Sequence, residues 1–581
     1  MKTKLIELII IIILLVLMSS SLCFAGWDNT LPADNTVWNV AAGYIRNNWD
    51  ALEAVFGVDF ANVSISPGGT PNVYNVKNVA YGATGDGVTD DLIAIQAAVD
   101  ACIASTTGGV VYFPPGIYSV DDGSITVNNG GNRSIWFIGA GMHSARIVKT
   151  TTGTGDLLIW DCIANPSGVQ NLGIETAVGG NYTVDGISCT AMNGVFFENV
   201  WVGGFKNGFN IVGSDTHLLN CASELNSVYG FDLDKHITAT NCISYQNGYG
   251  YILRYTDAPA YPDLPISLVN CSDVESEVYA LTIYSRDNVE ISGFTIGSAD
   301  YSTNVGIYID SSNHVNITGG NIRYLADYGI QLTGACSEIT INGMQIHDIG
   351  QTTDGAGILL NASCTDVLIT NCSFQEIRLS AIKTINSSQT RITNNIFRDF
   401  GREEVAGDQY GVLLDGDAAY KGATVSSNHF TLQAAETQTG ISFEAGAQGK
   451  FFIRENEYIN GTLMDLTDAP ATTIVEQNED DYAIPALADE ATPSAKGRLL
   501  WKTGGTTNIT DFDDGHIGQI ITVLCKHSLT FDTTTAQDAD HNLDGSSVNI
   551  SVDTGDVLVW LCENGTTWHL ISNLDASADN N

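Results

Sequence analysis

The sequence predicts an all-β fold, a single-stranded parallel β-helix with an N-terminal capping helix and a small C-terminal β-sandwich, and two observations carry that prediction. The first is a repeat: units of roughly 20 to 33 residues recur from about Gly155 to Thr462, each reading as three short strands. Units open at Gly186, Gly208, Gly230, Gly250, Ala280, Gly306, Gly329, Gly357, Ala381, Gly411 and Gly440, mostly ahead of alternating residues such as Ile307-Tyr308-Ile309. The second is a column at mid-unit, where Asn171, Asn199, Asn220, Asn241, Asn270, Gly293, Gly319, Gly343, Asn371 and Asn394 align. Asn and Gly are the residues that enter the left-handed backbone region at low cost, so the column predicts a stacked turn with its amides bonded and buried inside the coil. Ser427 and Glu455 interrupt it, which predicts that the regular solenoid ends there.

Composition agrees with a repeat. The chain has 581 residues, more than one ordinary core uses, with 59 glycines and only 15% charged residues. Its 66 acids against 24 bases give a formal charge of -42, which repels nucleic acid and anionic membranes at long range. At the N-terminus, Lys2 and Lys4 precede the apolar run Leu8 to Met18 and the sequence Cys23-Phe24-Ala25-Gly26. That is the pattern of a cleaved signal peptide over 1–25, too short to span a bilayer, and it predicts a secreted or periplasmic protein without a membrane anchor after cleavage. Cys221, Cys242, Cys271 and Cys372 each follow a column asparagine, a spacing that suits small stacked side chains better than a disulfide framework.

Ahead of the coils stand Tyr74-Asn75-Val76-Lys77, Tyr81-Gly82-Ala83-Thr84-Gly85-Asp86-Gly87-Val88-Thr89-Asp90-Asp91 and Val111-Tyr112-Phe113-Pro114-Pro115-Gly116-Ile117-Tyr118. This stretch resembles the pectate lyase superfamily, in its rhamnogalacturonase and epimerase-like group that includes phage tailspikes. The resemblance implies a right-handed coil, a polysaccharide partner and a homo-trimer. Thr89 is expected to cap a helix whose first turn carries Asp90 and Asp91 and whose apolar face is Leu92, Ile95, Val99 and Ile103. The two aspartates are therefore dipole partners rather than a catalytic pair, and Gly82 to Gly87 lacks the lysine and spacing of a phosphate loop.

Chemistry on a solenoid belongs at equivalent positions of neighbouring coils or in enlarged turns. Five residues past the asparagine column, three successive units carry Asp348, Glu376 and Asp399, flanked by His347, Gln375 and Arg398. Stacked about 4.8 Å apart, such carboxylates fall near glycosidase spacings, so these three are the candidate catalytic residues, with His347 and Arg398 as substrate contacts. An acidic strip that only keeps the protein soluble is the competing interpretation. The enlarged turns offer Tyr255 and Tyr261 in one and Glu403 in another as further substrate contacts. The motifs by which polygalacturonase-like members of the superfamily act do not appear in these coils, and so few bases suit a polyuronate poorly. The expectation is therefore hydrolysis of a neutral or mixed exopolysaccharide, with no cofactor required; a lyase would need Ca2+ to bridge acid to acid. A noncatalytic adhesin or tailspike-like glycan binder is the alternative.

After the leader, the sequence predicts an N-terminal helical or extended segment at 26–68, the β-helix at 69–475, an acidic Pro/Ala-rich linker at 476–496 and a β-sandwich module at 497–575.

Overall fold

The computed structural model describes residues 72–574, apart from short internal segments of which the longest are 256–264, 402–409, 477–485 and 534–542. The leader and the 26–68 segment lie outside the described residues. The coil is a parallel solenoid of three faces. Among the described residues, sheet I has 14 parallel strands, from Ile125–Asn128 to Thr462–Met464. The other two faces are ladders that meet at the mid-unit turn: sheet II includes Ser337–Asn342 and Thr365–Thr370, and sheet III includes Gln345–Ile349 and Ser373–Ile377. Inward residues repeat from coil to coil, so like side chains stack. Phe209, Phe231 and Tyr251 lie ring on ring at 4.9 and 4.6 Å, and Phe374, Phe397 and Phe430 at 5.0 and 4.6 Å.

The Asn/Gly column is a line of left-handed residues, with φ between +52° and +70° from Asn171 to Asn394. Two expectations about it are corrected. Its side chains are not buried: Asn220, Asn241, Asn270, Asn371 and Asn394 are exposed. Their amides still bond along the outer corner, Asn199 Nδ2 donating to Asn171 Oδ1 at 3.1 Å and Asn241 Nδ2 to Asn220 Oδ1 at 3.2 Å. The left-handed residue turns the chain at a corner with its own side chain outside, and the next residue points in. Cys221, Cys242, Cys271 and Cys372 take that inner position as buried free thiols. Nor does the solenoid end at Ser427 and Glu455. Both hold φ of +56°, and coils continue through Phe452–Arg454, Glu457–Ile459 and Ile474–Glu476. The neighbouring inward residues explain this. Asn395, Asn428 and Asn456 form a fully buried amide stack, Asn395 Nδ2 donating to Asn428 Oδ1 and Asn428 Nδ2 to Asn456 Oδ1, each at 3.0 Å, and it fixes the turn without help from the corner residue.

The helix α1 spans Leu92–Ala104 and buries Ile95, Ala98, Val99 and Cys102. Its start differs from the expectation. Asp86–Asp90 is a strand, and Asp91 is the N-cap without a capping bond from its side chain. That buried carboxylate instead accepts from the amides of Thr84, at 2.6 Å, and Gly85, at 3.0 Å, holding the glycine turn against the helix. At the other end, the strands Ile520–Leu524 and Val557–Cys562 pair antiparallel in a sheet that has five strands among the described residues, beside one that has two, around a second core that includes Phe512, Trp560 and Trp568. Leu487 and Ala495, in the stretch whose composition suggested a linker, are buried in that core, because the apolar members of a Pro/Ala-rich segment gain by packing.

Asn428→Leu is expected to destabilise the protein by about 2 to 4 kcal/mol, since it strands amide partners in the coils on either side. Asn371→Leu, exposed at the corner, is expected to cost only about 1 kcal/mol of left-handed strain. Denaturant midpoints at constant slope check both, and equal losses would contradict the distinction between corner and interior.

Candidate functional site

Outward positions of sheet I form columns as strict as those inside. One column runs Asn207, Tyr229, Tyr249, Tyr279; a second runs Asn210, Asp232, Ile252, Thr282, Tyr308; a third pairs Asp234, Arg254 and Tyr284. Arg254 therefore stands one coil above Asp232 and two residues along the strand, within diagonal reach. Its guanidinium grips the Asp232 carboxylate with two bonds, Nε to Oδ1 at 2.9 Å and Nη2 to Oδ2, and lies over the Tyr229 ring at 5.6 Å. Tyr229, Tyr249, Tyr279 and Tyr308 continue the row, with ring centroids 5.3, 5.6 and 4.8 Å apart.

The electrostatics follow from burial. Asp232 is 2% exposed, and desolvation, reinforced by Asp185 and Asp234, pushes its carboxyl up to about 6 despite Arg254. Burial also raises Asp185, whose carboxylate accepts from Asn207 Nδ2 at 2.8 Å and Asn210 Nδ2 at 2.6 Å. The Tyr229 phenol is raised as well, burial being the main cause, Arg254 opposing it and Asp232 adding to it. The arrangement is thus a fixed cation whose side chain keeps 35% exposure, a carboxyl that titrates near neutrality and a phenol that keeps its proton. Beside it, the buried Arg286 lays its guanidinium 5.5 Å from the Tyr255 ring and donates Nη2 to the Lys235 carbonyl at 2.7 Å.

The residues singled out from sequence lie elsewhere. Asp348, Glu376 and Asp399 occupy equivalent positions on three successive coils, since His347 pairs with Gln375 and Gln375 with Arg398. All three are half-buried and left-handed, with φ of +55°, +56° and +49°, and Tyr324, Glu275, Gln246 and Leu225 in the same column of earlier coils are left-handed too, the last two exposed. The column is thus a second corner, whose occupants need not be acidic. His347 Nδ1 bonds Asp348 Oδ2 at 3.0 Å, and its ring meets Tyr324 edge-on at 6.0 Å. Arg398 is exposed. Tyr255 stands at the end of sheet I against Arg286, whereas Tyr261 and Glu403 lie outside the described residues. Among the described residues, no group of three or more His, Cys, Asp or Glu side chains is arranged to hold a metal ion.

The family is decided by two matches. A model described as rhamnogalacturonase A/epimerase, pectate lyase-like, covers residues 73–165, and one described as right handed beta helix region covers 279–478, within the parallel solenoid. The chain belongs to the pectate-lyase-like right-handed β-helix superfamily. Among curated members it is 31% identical over 196 residues to mannuronan C5-epimerase AlgE6 of Azotobacter vinelandii, covering 31% of this chain and 20% of that one. It is also 31% identical over 190 residues to alginate lyase 7 of the same organism, covering 30% and 20%. The match thus spans about one fifth of these relatives. In fold, the chain is similar to the A-module of the Azotobacter vinelandii epimerase AlgE6, with a TM-score of 0.49, 21% identity and coverage of 61% of this chain and 99% of the module. The named activities of these β-helix relatives are directed at polysaccharides.

Three members of the tyrosine row, Tyr229, Tyr249 and Tyr279, stand in the sequence just before the opening Gly or Ala of a unit, as Tyr328 and Tyr410 also do, whereas Tyr308 lies two residues after the opening Gly306. Between about pH 4 and pH 6, an unfolded aspartate is ionised while folded Asp232 holds its proton. Stability is therefore expected to fall as pH rises through that window, by roughly 1 kcal/mol per pH unit. Thermal melts across pH 4 to 7 check it. The slope should flatten in Asp232→Asn, and an unchanged slope would contradict the burial argument.

Proposed function

We propose that this protein is exported and acts on a polyuronate at the Tyr229–Asp232–Arg254 cluster, by proton exchange at the carbon beside the sugar carboxylate. The observation that carries this reading is the guanidinium held by a buried carboxyl and laid over a phenol. A uronate carboxylate that pairs with Arg254 acidifies the neighbouring C5–H, because the cation stabilises the charge that develops when the proton leaves. At neutral pH the C5 proton passes to the ionised Asp232 carboxylate, and Tyr229, which keeps its phenolic proton, supplies a proton to C5 or to the departing oxygen; both groups then exchange protons with water. Return of a proton on the opposite face inverts C5; departure of the 4-linked oxygen instead breaks the chain and leaves an unsaturated sugar. A C5-epimerase and an alginate lyase among the relatives support this reaction class.

This reading departs from the neutral glycan expected from net charge. The solenoid is about 65 Å long, and in physiological salt each charge is felt over only about 8 Å, so a carboxylate responds to Arg254 more than to the total of -42.

A second reading, hydrolysis by Asp348, Glu376 and Asp399, keeps the support of their shared register. One experiment separates the two. Polymannuronate incubated with the protein in D2O is expected to gain deuterium at C5 or a 4,5-unsaturated end, and Tyr229→Phe, which keeps the ring, should lower that rate at least about 100-fold. New reducing ends without deuterium or unsaturation, lost in Glu376→Gln, would move the chemistry to the acidic column. Tight binding with no chemistry would make the protein an adhesin.

A further inference from the structure

Sheet II carries a different outward surface. Its central column runs in register Trp136, Gly168, Phe196, His217, Thr238, Ser267, Glu290, Asn316 and Thr340. Trp136 and Phe196 are two strands apart, about 9.6 Å by backbone spacing, yet their rings stack at 6.0 Å because the indole leans across Gly168. A Cβ at Gly168 would lie 1.9 Å from the Phe196 carbonyl oxygen, so the bare backbone there is required. His217, exposed, closes the row at 4.8 Å from Phe196 and within 13° of parallel.

Beyond His217 the column shrinks to Thr238 and Ser267, then opens into a depression of about 570 Å3 lined by Glu290, His314, Asn316 and Glu338. Its polar groups are held in place: Asn316 Nδ2 donates to Glu290 Oε2 at 3.0 Å, and His314 Nε2 bonds Glu338 Oε2 at 2.8 Å. An aromatic shelf that leads into fixed amide and carboxylate groups matches the apolar faces and hydroxyl edges of a sugar chain. None of the column positions from Trp136 to Thr340 is a lysine or arginine, and Glu290 and Glu338 repel a polyuronate. We propose that this groove is a second, noncatalytic glycan site, separate from the sheet I cluster and selective for an uncharged oligosaccharide. Three strand spacings, about 14 Å, separate His217 from Glu290, so the ligand spans several sugar units.

Calorimetric titration of the full-length protein with cellohexaose, laminarihexaose and an oligolysine tests this. At least one neutral hexasaccharide should bind wild type and Tyr229→Phe equally, and bind at least about 10-fold more weakly in both His217→Ala and Asn316→Ala at unchanged melting temperature. Failure of both hexasaccharides to bind, indifference to both substitutions, or binding of the oligolysine alone would overturn the proposal. Because the Tyr229 variant leaves this groove intact, failure of the sheet I reading leaves the titration interpretable.

Discussion

The coils from Asn171 to Glu455 depend on a residue in the left-handed backbone region at the same corner of each one. That residue turns the chain from sheet II to sheet III, and because it recurs at φ near +55° the coils superpose instead of slipping. For most L-residues this conformation costs about 1 to 2 kcal/mol, which is why Asn and Gly fill most of the column. Ser427 and Glu455 take the same geometry without that preference, beside the buried Asn395–Asn428–Asn456 stack. Geometry therefore outranks residue preference wherever packing over-determines the turn.

Strict superposition makes each outward column a fixed rail with a step of about 4.8 Å, and it is this rigidity that lets distant residues act together. The sheet I cluster draws Asp185, Asp232 and Arg254 from different coils, yet two bonds hold the guanidinium against one carboxylate while part of it faces outward. A buried acid and a partly exposed base in contact form a local field that differs from the average of a strongly acidic protein. Sheet II, built by the same rule, presents rings and amides with no lysine or arginine among the named positions, so two faces of one coil offer surfaces of different chemistry.

Much of the fold was legible because the Asn/Gly column reports a backbone constraint directly. What it did not report was direction: the corner side chain faces out, and the buried positions belong to the next residue, Cys242 or Asn428. The acids Asp348, Glu376 and Asp399 aligned in sequence for the same reason, since they mark a second left-handed corner. The tyrosine row went unused because Gly230, Gly250 and Ala280, which follow its first three members, drew attention as unit openings. Pairing of Arg254 with Asp232 is diagonal between coils of different length, 20 residues in one and 30 in the next by their opening residues, so spacing alone did not reveal it. At the N-terminal end, Asp91 looked like a helix-dipole partner, whereas its carboxylate serves the Thr84–Gly85 turn.

The central claim is that register makes the sheet I face, with Arg254 at its centre, the place where an acidic sugar is held. A crystal structure of the Tyr229→Phe protein with a bound oligomannuronate tests this most directly. A sugar carboxylate within hydrogen-bond distance of the Arg254 guanidinium, with the chain lying against the tyrosine row, is the predicted result. An oligosaccharide seated over Asp348, Glu376 and Asp399, with sheet I bare, would contradict it.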